Sequence, residues 1–219
     1  MFKNKVIRYS TIAMIIAILA YFVVENFTGL SAGSSSEDLI AASPEKYKTK
    51  ILGERAAKDE QFKTTEDSPI ADKASFHGLH YFEPNLSFRI KANISPYMKD
   101  DKEVVVKYTD GTSEKYEKYG YANFTVAGEA QKLLLLKNES VISVLFRDAT
   151  SGKETYGGGR YLDYPLSEIK NNVIVLDFNK AYNPYCVYQA SYACPVPPAE
   201  NTLTAAIQAG ELTESAVHE

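Results

Sequence analysis

The strongest constraint on the fold is a series of short segments, between His80 and Phe178, in which apolar and polar residues alternate. This alternation is typical of β-strands that bury one face and expose the other to solvent. We predict strands at Tyr81–Ile94, Glu103–Tyr108, Ser113–Ala127, Lys132–Lys137, Val141–Asp148, Glu154–Leu162 and Val173–Phe178.

The connections between these strands are short and contain turn-forming residues, such as Asp110-Gly111 and Thr150-Ser151-Gly152. A parallel sheet would need long crossovers, usually helical, whereas tight turns join antiparallel neighbours. The sequence therefore predicts a mainly β domain, in which an antiparallel meander closes into a barrel or half-barrel. A β-sandwich is the alternative.

Two helices accompany the predicted strands. Ser43-Pro44-Glu45 is a helix start, because it offers a capping side chain, a proline at the first helical position and an acidic first turn. Tyr47, Ile51 and Phe62 follow at near-helical spacing, which predicts one amphipathic helix that ends before Ser68-Pro69. A short helix is also predicted from Asn201 to Ala209, near the C-terminus.

The N-terminal residues are typical of a membrane-targeting segment. Lys3, Lys5 and Arg8 precede an apolar run from Ile12 to Val24, and no clean cleavage site follows it. Residues 1–28 are therefore predicted to be a signal anchor or a signal peptide, and residues 29–42 a flexible linker. Residues 43–219 would form a single β-rich domain, membrane-anchored and facing the periplasm or cell exterior, or secreted if the signal is cleaved.

Composition and motifs exclude several classes of ligand. The net charge of -4 disfavours nucleic acid as a partner, because such binders usually carry a basic face. We predict no metal site, since His77, His80 and His218 have no zinc-like spacing with the two cysteines. We also predict no cofactor, because the glycines at 157–159 lack the Lys-Ser/Thr pair and following helix of a phosphate loop.

Cys186 and Cys194 are the only cysteines of the chain. In an exported protein they predict a disulfide that closes a short loop. The alternatives are two buried or reactive thiols, a metal site, or a nucleophile formed by Cys186 with a histidine.

Arg160 and Asp177 are predicted to pair with each other. Asp177 ends the apolar run 173–176, so its carboxylate would enter a buried environment and require a cation. The pair would be a structural ion pair, or Arg160 would instead contact an anionic ligand.

The C-terminal third is dense in Gly, Pro, Asn, Tyr and Cys. Its motifs occur in the order Asp148–Gly152, Thr155–Leu162, Asp177–Asn179, Ala181–Pro184, Cys186, Cys194-Pro195, Asn201 and Ala209–Glu211. In this order they resemble the bacterial domain-of-unknown-function family 1684, of which this chain would be an exported, membrane-anchored member. The resemblance implies a compact, mostly β domain of unassigned role, and it brings no accepted catalytic residues.

We therefore expect an extracytoplasmic domain that binds a small ligand or envelope component in a pocket formed by the C-terminal motif. A hydrolase that uses Asp177 or Glu200 with Arg160 is a second hypothesis, and a structural or interaction module is a third. The candidate ligand-binding residues are Tyr156, Arg160, Asp177, Asn179, Tyr182, Asn183, Glu200 and Asn201.

Overall fold

One antiparallel sheet, bent into an open half-barrel, and one helix form the domain. The computed structural model describes residues 44–213. The helix α1 is Pro44–Thr64. The strands are β1 (Arg89–Pro96), β2 (Glu103–Lys107), β3 (Ser113–Val126), β4 (Glu129–Asn138), β5 (Val141–Phe146), β6 (Arg160–Pro165) and β7 (Val173–Asp177). The prediction of a mainly β, half-barrel domain with one helix near the N-terminus is confirmed.

The sheet has the strand order β6-β5-β4-β3-β1-β7, and every pairing is antiparallel. The long strand β3 pairs with β4 along one edge. Along its other edge, the first half of β3 pairs with β2 and the second half with β1. One strand thus serves two neighbours, which allows the sheet to curve around a core.

The middle of β4 is buried on both faces of the sheet. Its four leucines at 133–136 have no exposed surface. Leu133 and Leu135 belong to the main core, and Leu134 and Leu136 pack into a smaller cluster with Tyr116, Leu145 and Tyr161 on the opposite face. Each side of the sheet is therefore covered by other parts of the chain.

The helix α1 packs through Tyr47, Ile51 and Phe62, as its spacing predicted, and Arg55 is buried along the same face. Phe62 lies edge-on against Tyr185 and Tyr188. The proposed capping residue Ser43 lies outside the described residues.

The predicted C-terminal helix is wrong. Residues 202–211 run extended, after a short 3-10 turn at Ala199–Asn201. Alternate side chains enter the main core, namely Leu203, Ala205, Ile207 and Ala209. A two-residue repeat of this kind fits an extended chain, whereas on a helix these side chains would point in different directions.

Two predicted strands begin too early. Residues 81–88 contain Pro84 and a 3-10 turn at Leu86–Phe88, so β1 begins only at Arg89. Residues 154–159 form turns before β6. At Gly159 the backbone has φ +100° and a Cβ would lie 2.5 Å from the Phe146 carbonyl oxygen, so a strand with ordinary side chains cannot pass through this position.

Candidate functional site

An open groove of about 650 Å³ lies between the first turn of α1 and residues 82–88. It does not lie at the glycine-rich part of the C-terminal motif. Aromatic and aliphatic side chains lie beside charged and amide ones in its lining, which consists of Pro44, Glu45, Tyr47, Lys48, Phe82, Glu83, Pro84, Asn85, Leu86, Phe88 and Gln208.

Tyr47 connects the groove to a buried carboxylate. Its hydroxyl donates a hydrogen bond of 2.7 Å to Oδ1 of Asp177. Nε of Arg89 lies 3.8 Å from the other carboxylate oxygen. Burial and the Asp177 carboxylate raise the pKa of Tyr47, so the phenol stays protonated and remains a donor. The groove wall at this point is fixed rather than free to reorganise.

Asn179 holds the opposite wall. Its Oδ1 accepts a hydrogen bond of 2.7 Å from the backbone N–H of Asn85, and its Nδ2 donates one of 2.8 Å to the Asn85 carbonyl. The side-chain amide thus bonds the segment 82–88 as a neighbouring strand would. Arg55 adds a hydrogen bond of 2.8 Å to the Phe82 carbonyl.

Lys48 and Glu83 both line the groove and form an ion pair, with 2.8 Å between Nζ of Lys48 and Oε2 of Glu83. Both side chains are exposed, and the pairing raises the pKa of Lys48 and lowers that of Glu83. One positive and one negative group therefore lie side by side in a groove that Leu86 and Phe88 also line. This chemistry suits a small molecule with an apolar body and a neutral or zwitterionic polar end.

Arg160 does not take part in the groove, and its predicted pairing with Asp177 is wrong. Its guanidinium is fully buried, with Nη2 2.9 Å from Oδ2 of Asp148. The same guanidinium donates to the carbonyls of Ile207 and Ala209. Arg160 is thus sealed behind the C-terminal extended segment, where no ligand reaches it.

Asn201 is also internal. Its side chain accepts a hydrogen bond of 2.7 Å from the Leu134 N–H and donates bonds of 3.0 and 2.8 Å to the carbonyls of Leu134 and Leu145. These main-chain groups lie where β4 and β5 no longer pair with each other. The amide completes their hydrogen bonding, so the role of Asn201 is structural.

Tyr182 and Asn183 lie in a second polar cluster, apart from the groove. The Tyr182 hydroxyl donates to the carboxylate of Asp163. The backbone N–H of Asn183 donates a bond of 2.7 Å to Oε2 of Glu211. Glu211 is almost fully buried and also pairs with Lys58.

Sequence reasoning did not find Asp148, Asp163 or Glu211. Asp148 and Glu211 are buried and Asp163 is partly buried, and each contacts partners that are distant in the chain, so no local spacing in the sequence predicts them. The contacts of Glu211 lie at Lys58, Asn183 and Tyr188, for example.

The remaining predicted residues lie apart from one another. Glu200 is exposed and accepts a hydrogen bond of 2.8 Å from the Tyr121 hydroxyl. Tyr156 contacts Cys186. The two cysteines lie together as free thiols, so the predicted disulfide is not formed here and stays a prediction.

The hydrolase hypothesis required Arg160 beside Asp177 or Glu200. In the structure the three side chains have separate partners, namely Asp148, Tyr47 and Tyr121. Among residues 44–213, no group of three or more His, Cys, Asp or Glu side chains is arranged to hold a metal ion. Of the predicted residues, Asp177 and Asn179 alone are linked by hydrogen bonds to residues that line the groove.

Residues 74–212 match the sequence model of the family described as "Protein of unknown function (DUF1684)". The chain belongs to this family. The match covers the sheet, the C-terminal extended segment and the segment 82–88 of this chain. The bacterial origin and export of this chain stay predictions.

A solved relative supports the same assignment. An uncharacterised protein of Haloarcula marismortui, determined by solution NMR, is 32% identical to this DUF1684 chain with a TM-score of 0.59. The alignment covers 78% of this chain and 96% of that protein. No curated protein matches the chain significantly.

The predicted signal segment and linker lie outside the described residues. Within residues 44–213, no helix combines the length and apolar composition that a membrane crossing requires.

Proposed function

We propose that this DUF1684 protein is a membrane-tethered, extracytoplasmic domain that binds a small amphipathic component of the cell envelope. The ligand would lie in the groove between α1 and residues 82–88, and not against Arg160 as the sequence suggested. The observation that carries the proposal is the groove itself, with a volume of about 650 Å³, a lining of apolar and polar side chains, and an exposed ion pair between Lys48 and Glu83.

The position of the groove relative to the predicted tether supports an envelope ligand. Pro44 lines the groove and lies two residues after the end of the predicted linker of residues 29–42. A flexible linker of this length has a root-mean-square extension of about 20 Å and a maximum of about 50 Å. In a tethered protein the groove would therefore stay close to the outer surface of the membrane.

The rigidity of the walls also supports binding. Asp177 and Asn179 hold Tyr47 and Asn85 from behind, through hydrogen bonds of 2.7 to 2.8 Å. A pre-formed site loses less conformational entropy when a ligand enters than a site that must first be ordered.

Removal of the groove tests the binding proposal. Gln208 is exposed on the extended segment and lines the groove, so Gln208→Trp would obstruct it without changing the core. Thr202→Trp is the matched control, because Thr202 is exposed on the same segment but outside the groove lining. Both variants would be prepared as full-length chains in mild detergent.

Native mass spectrometry with added lysophosphatidylethanolamine, which has one acyl chain and a zwitterionic head, gives the binding measurement. Extraction of co-purified small molecules into organic solvent, from the same samples, covers other envelope components. We expect the wild-type chain and Thr202→Trp to retain a compound that Gln208→Trp loses. If all three samples retain the same compounds, or none, the groove is not a binding site.

The tether has a separate test. After alkaline carbonate washing of membranes, the full-length chain should stay in the pellet, and a chain that lacks residues 1–28 should be soluble. Protease added to intact spheroplasts should digest the anchored domain. Release of the full-length chain by carbonate, or protection from protease, would contradict the proposed location.

A further inference from the structure

Cys186 and Cys194 form a thiol pair that the proposed binding function does not use. The backbone N–H of Cys186 donates a hydrogen bond to Sγ of Cys194 over 3.1 Å. Both cysteines are free. The Cys194 thiol is therefore already held against the Cys186 residue in the dithiol state.

The two thiols differ in their access to solvent. Cys194 is buried, with 5% of its surface exposed, whereas Cys186 is partly exposed. A reagent in solution would therefore reach Cys186 first. This is the arrangement of an attacking thiol backed by a second, resolving thiol.

Tyr156 lies beside the Cys186 thiol and favours its thiolate form. Its ring lies directly over Gly158, where a Cβ would come within 2.2 Å of Cε1 of the ring. A residue with a side chain at 158 would thus displace the tyrosine. Hydrogen bonds with Cys194 and Tyr156 lower the pKa of the Cys186 thiol.

The fold around the pair is complete without a covalent bond. Cys194 is held by Thr109, whose backbone N–H donates to the Cys194 carbonyl over 3.0 Å and whose Oγ1 accepts from the Cys194 N–H over 3.1 Å. On the other side of the loop, Tyr182 and Tyr161 exchange backbone hydrogen bonds of 2.9 and 3.0 Å. Both ends of the loop are therefore fixed in the dithiol state.

We propose that Cys186 and Cys194 are a redox-active pair that exchanges with disulfides of other thiol compounds or proteins. The Cys186 thiolate attacks one sulfur of a partner disulfide. The partner S–S bond breaks, a mixed disulfide forms at Cys186, and the released thiolate takes up a proton.

Cys194 then attacks Sγ of Cys186. The Cys186–Cys194 bond forms, the second partner thiolate leaves, and the proton of Cys194 passes to it. Two electrons have moved from the pair to the partner, so a dithiol donor must reduce the pair again. The hydrogen bond to Cys186 is the main cause that raises the pKa of Cys194.

Equilibration with glutathione tests the exchange. The reduced full-length chain would be incubated without oxygen in buffers of varied ratios of reduced to oxidised glutathione. Acid quenching, maleimide labelling and mass spectrometry then count the free thiols. We expect the oxidised fraction of the pair to change progressively across these buffers.

Two results would overturn the proposal. A pair that stays bonded in excess reduced glutathione is a structural disulfide, and a pair that stays reduced in excess oxidised glutathione is inert.

The single-cysteine variants test the roles of the two thiols. Cys194→Ser should accumulate the glutathione mixed disulfide at Cys186, and Cys186→Ser should accumulate at least about tenfold less at Cys194. Tyr156→Phe should slow labelling of Cys186, and Tyr97→Phe, in the connection after β1, should not. Equal trapping in both cysteine variants would contradict the assignment. Replacement of each cysteine by alanine, and circular dichroism of every variant, show whether a change in trapping or labelling comes from a folding defect.

Discussion

Nη2 of Arg160 lies 2.9 Å from Oδ2 of Asp148, and both side chains are buried. Oδ1 of Asp148 accepts hydrogen bonds from the N–H groups of Thr150 and Ile207. The pair therefore joins the start of β6, the turn after β5 and the C-terminal extended segment. The stability of a fold that contains a buried charge pair of this kind depends strongly on the presence of both partners.

Removal of either charge should destabilise the domain. Arg160→Met leaves the Asp148 carboxylate buried without a cation, which typically costs about 3 to 5 kcal/mol of unfolding free energy. Chemical denaturation of Arg160→Met, Asp148→Asn and the double variant should show strong coupling. Asp177→Asn is the control, since Asp177 has other partners and should combine with Arg160→Met additively, within about 0.5 kcal/mol. Coupling to Asp177 rather than to Asp148 would contradict the observed pairing.

Asn201 should contribute to stability through its side-chain amide. Asn201→Ala leaves the main-chain groups of Leu134 and Leu145 without these partners, and each unsatisfied buried group costs about 1 to 3 kcal/mol. We expect a loss of at least about 3 kcal/mol in denaturant unfolding. Asn123→Ala removes an amide that donates to Asn93 and Ser95 on the exposed face of the sheet, and should change stability by less than about 1 kcal/mol. Similar losses at both positions would refute this role for Asn201.

Strands β1, β2 and β3 were predictable because their side chains alternate between core and solvent, and the helix because its apolar residues repeat at helical spacing. The β2 strand illustrates this, since Glu103–Lys107 lies within the predicted Glu103–Tyr108. The C-terminal segment was misassigned although Leu203, Ala205 and Ile207 recur every second residue. Its cap-like Asn201 and the following Gly210 resemble helix ends, but tertiary contacts with β4 and β5 determine what Asn201 does.

The candidate site was less predictable than the fold. A buried carboxylate at Asp177 was inferred correctly, with 5% of the residue exposed. Its hydrogen-bond partner Tyr47 was not inferred, because Tyr47 lies on α1, 130 residues away in the chain. The groove arises where α1 meets residues 82–88, and no local pattern in either segment encodes that contact.

The folded domain should not require the N-terminal segment. A chain that lacks residues 1–36 retains all described elements and should be soluble, with the circular dichroism of a β-rich protein and cooperative thermal unfolding. A chain that lacks residues 1–64 also loses Tyr47, Ile51 and Phe62 of α1, which are buried. Each such side chain contributes about 1.5 to 3 kcal/mol, so the shorter chain should be unfolded or aggregated. An unfolded product from the first deletion would contradict the domain boundary.

Asp163 should make stability decrease as pH rises. Its carboxylate accepts hydrogen bonds from Ser143 and Tyr182, but burial is the dominant cause and raises its pKa above the ordinary 3.8. Between the ordinary and the raised value, the folded chain binds more protons at Asp163 than the unfolded chain. The contribution is therefore fully present below pH 3.8 and is lost as pH rises through the folded pKa.

Denaturant unfolding of wild type and Asp163→Asn, from about pH 4 to about pH 8, measures this difference. The stability of wild type relative to Asp163→Asn should fall with rising pH. Asp101→Asn is the control, because Lys118 and Tyr97 lower the pKa of the exposed Asp101, so its contribution should instead be lost as pH falls. Since Asp59 and Glu168 are present in both chains, their own raised pKa values cancel in the comparison. A flat difference, or one of opposite sign, would show that Ser143 and Tyr182 outweigh burial and keep Asp163 ionised.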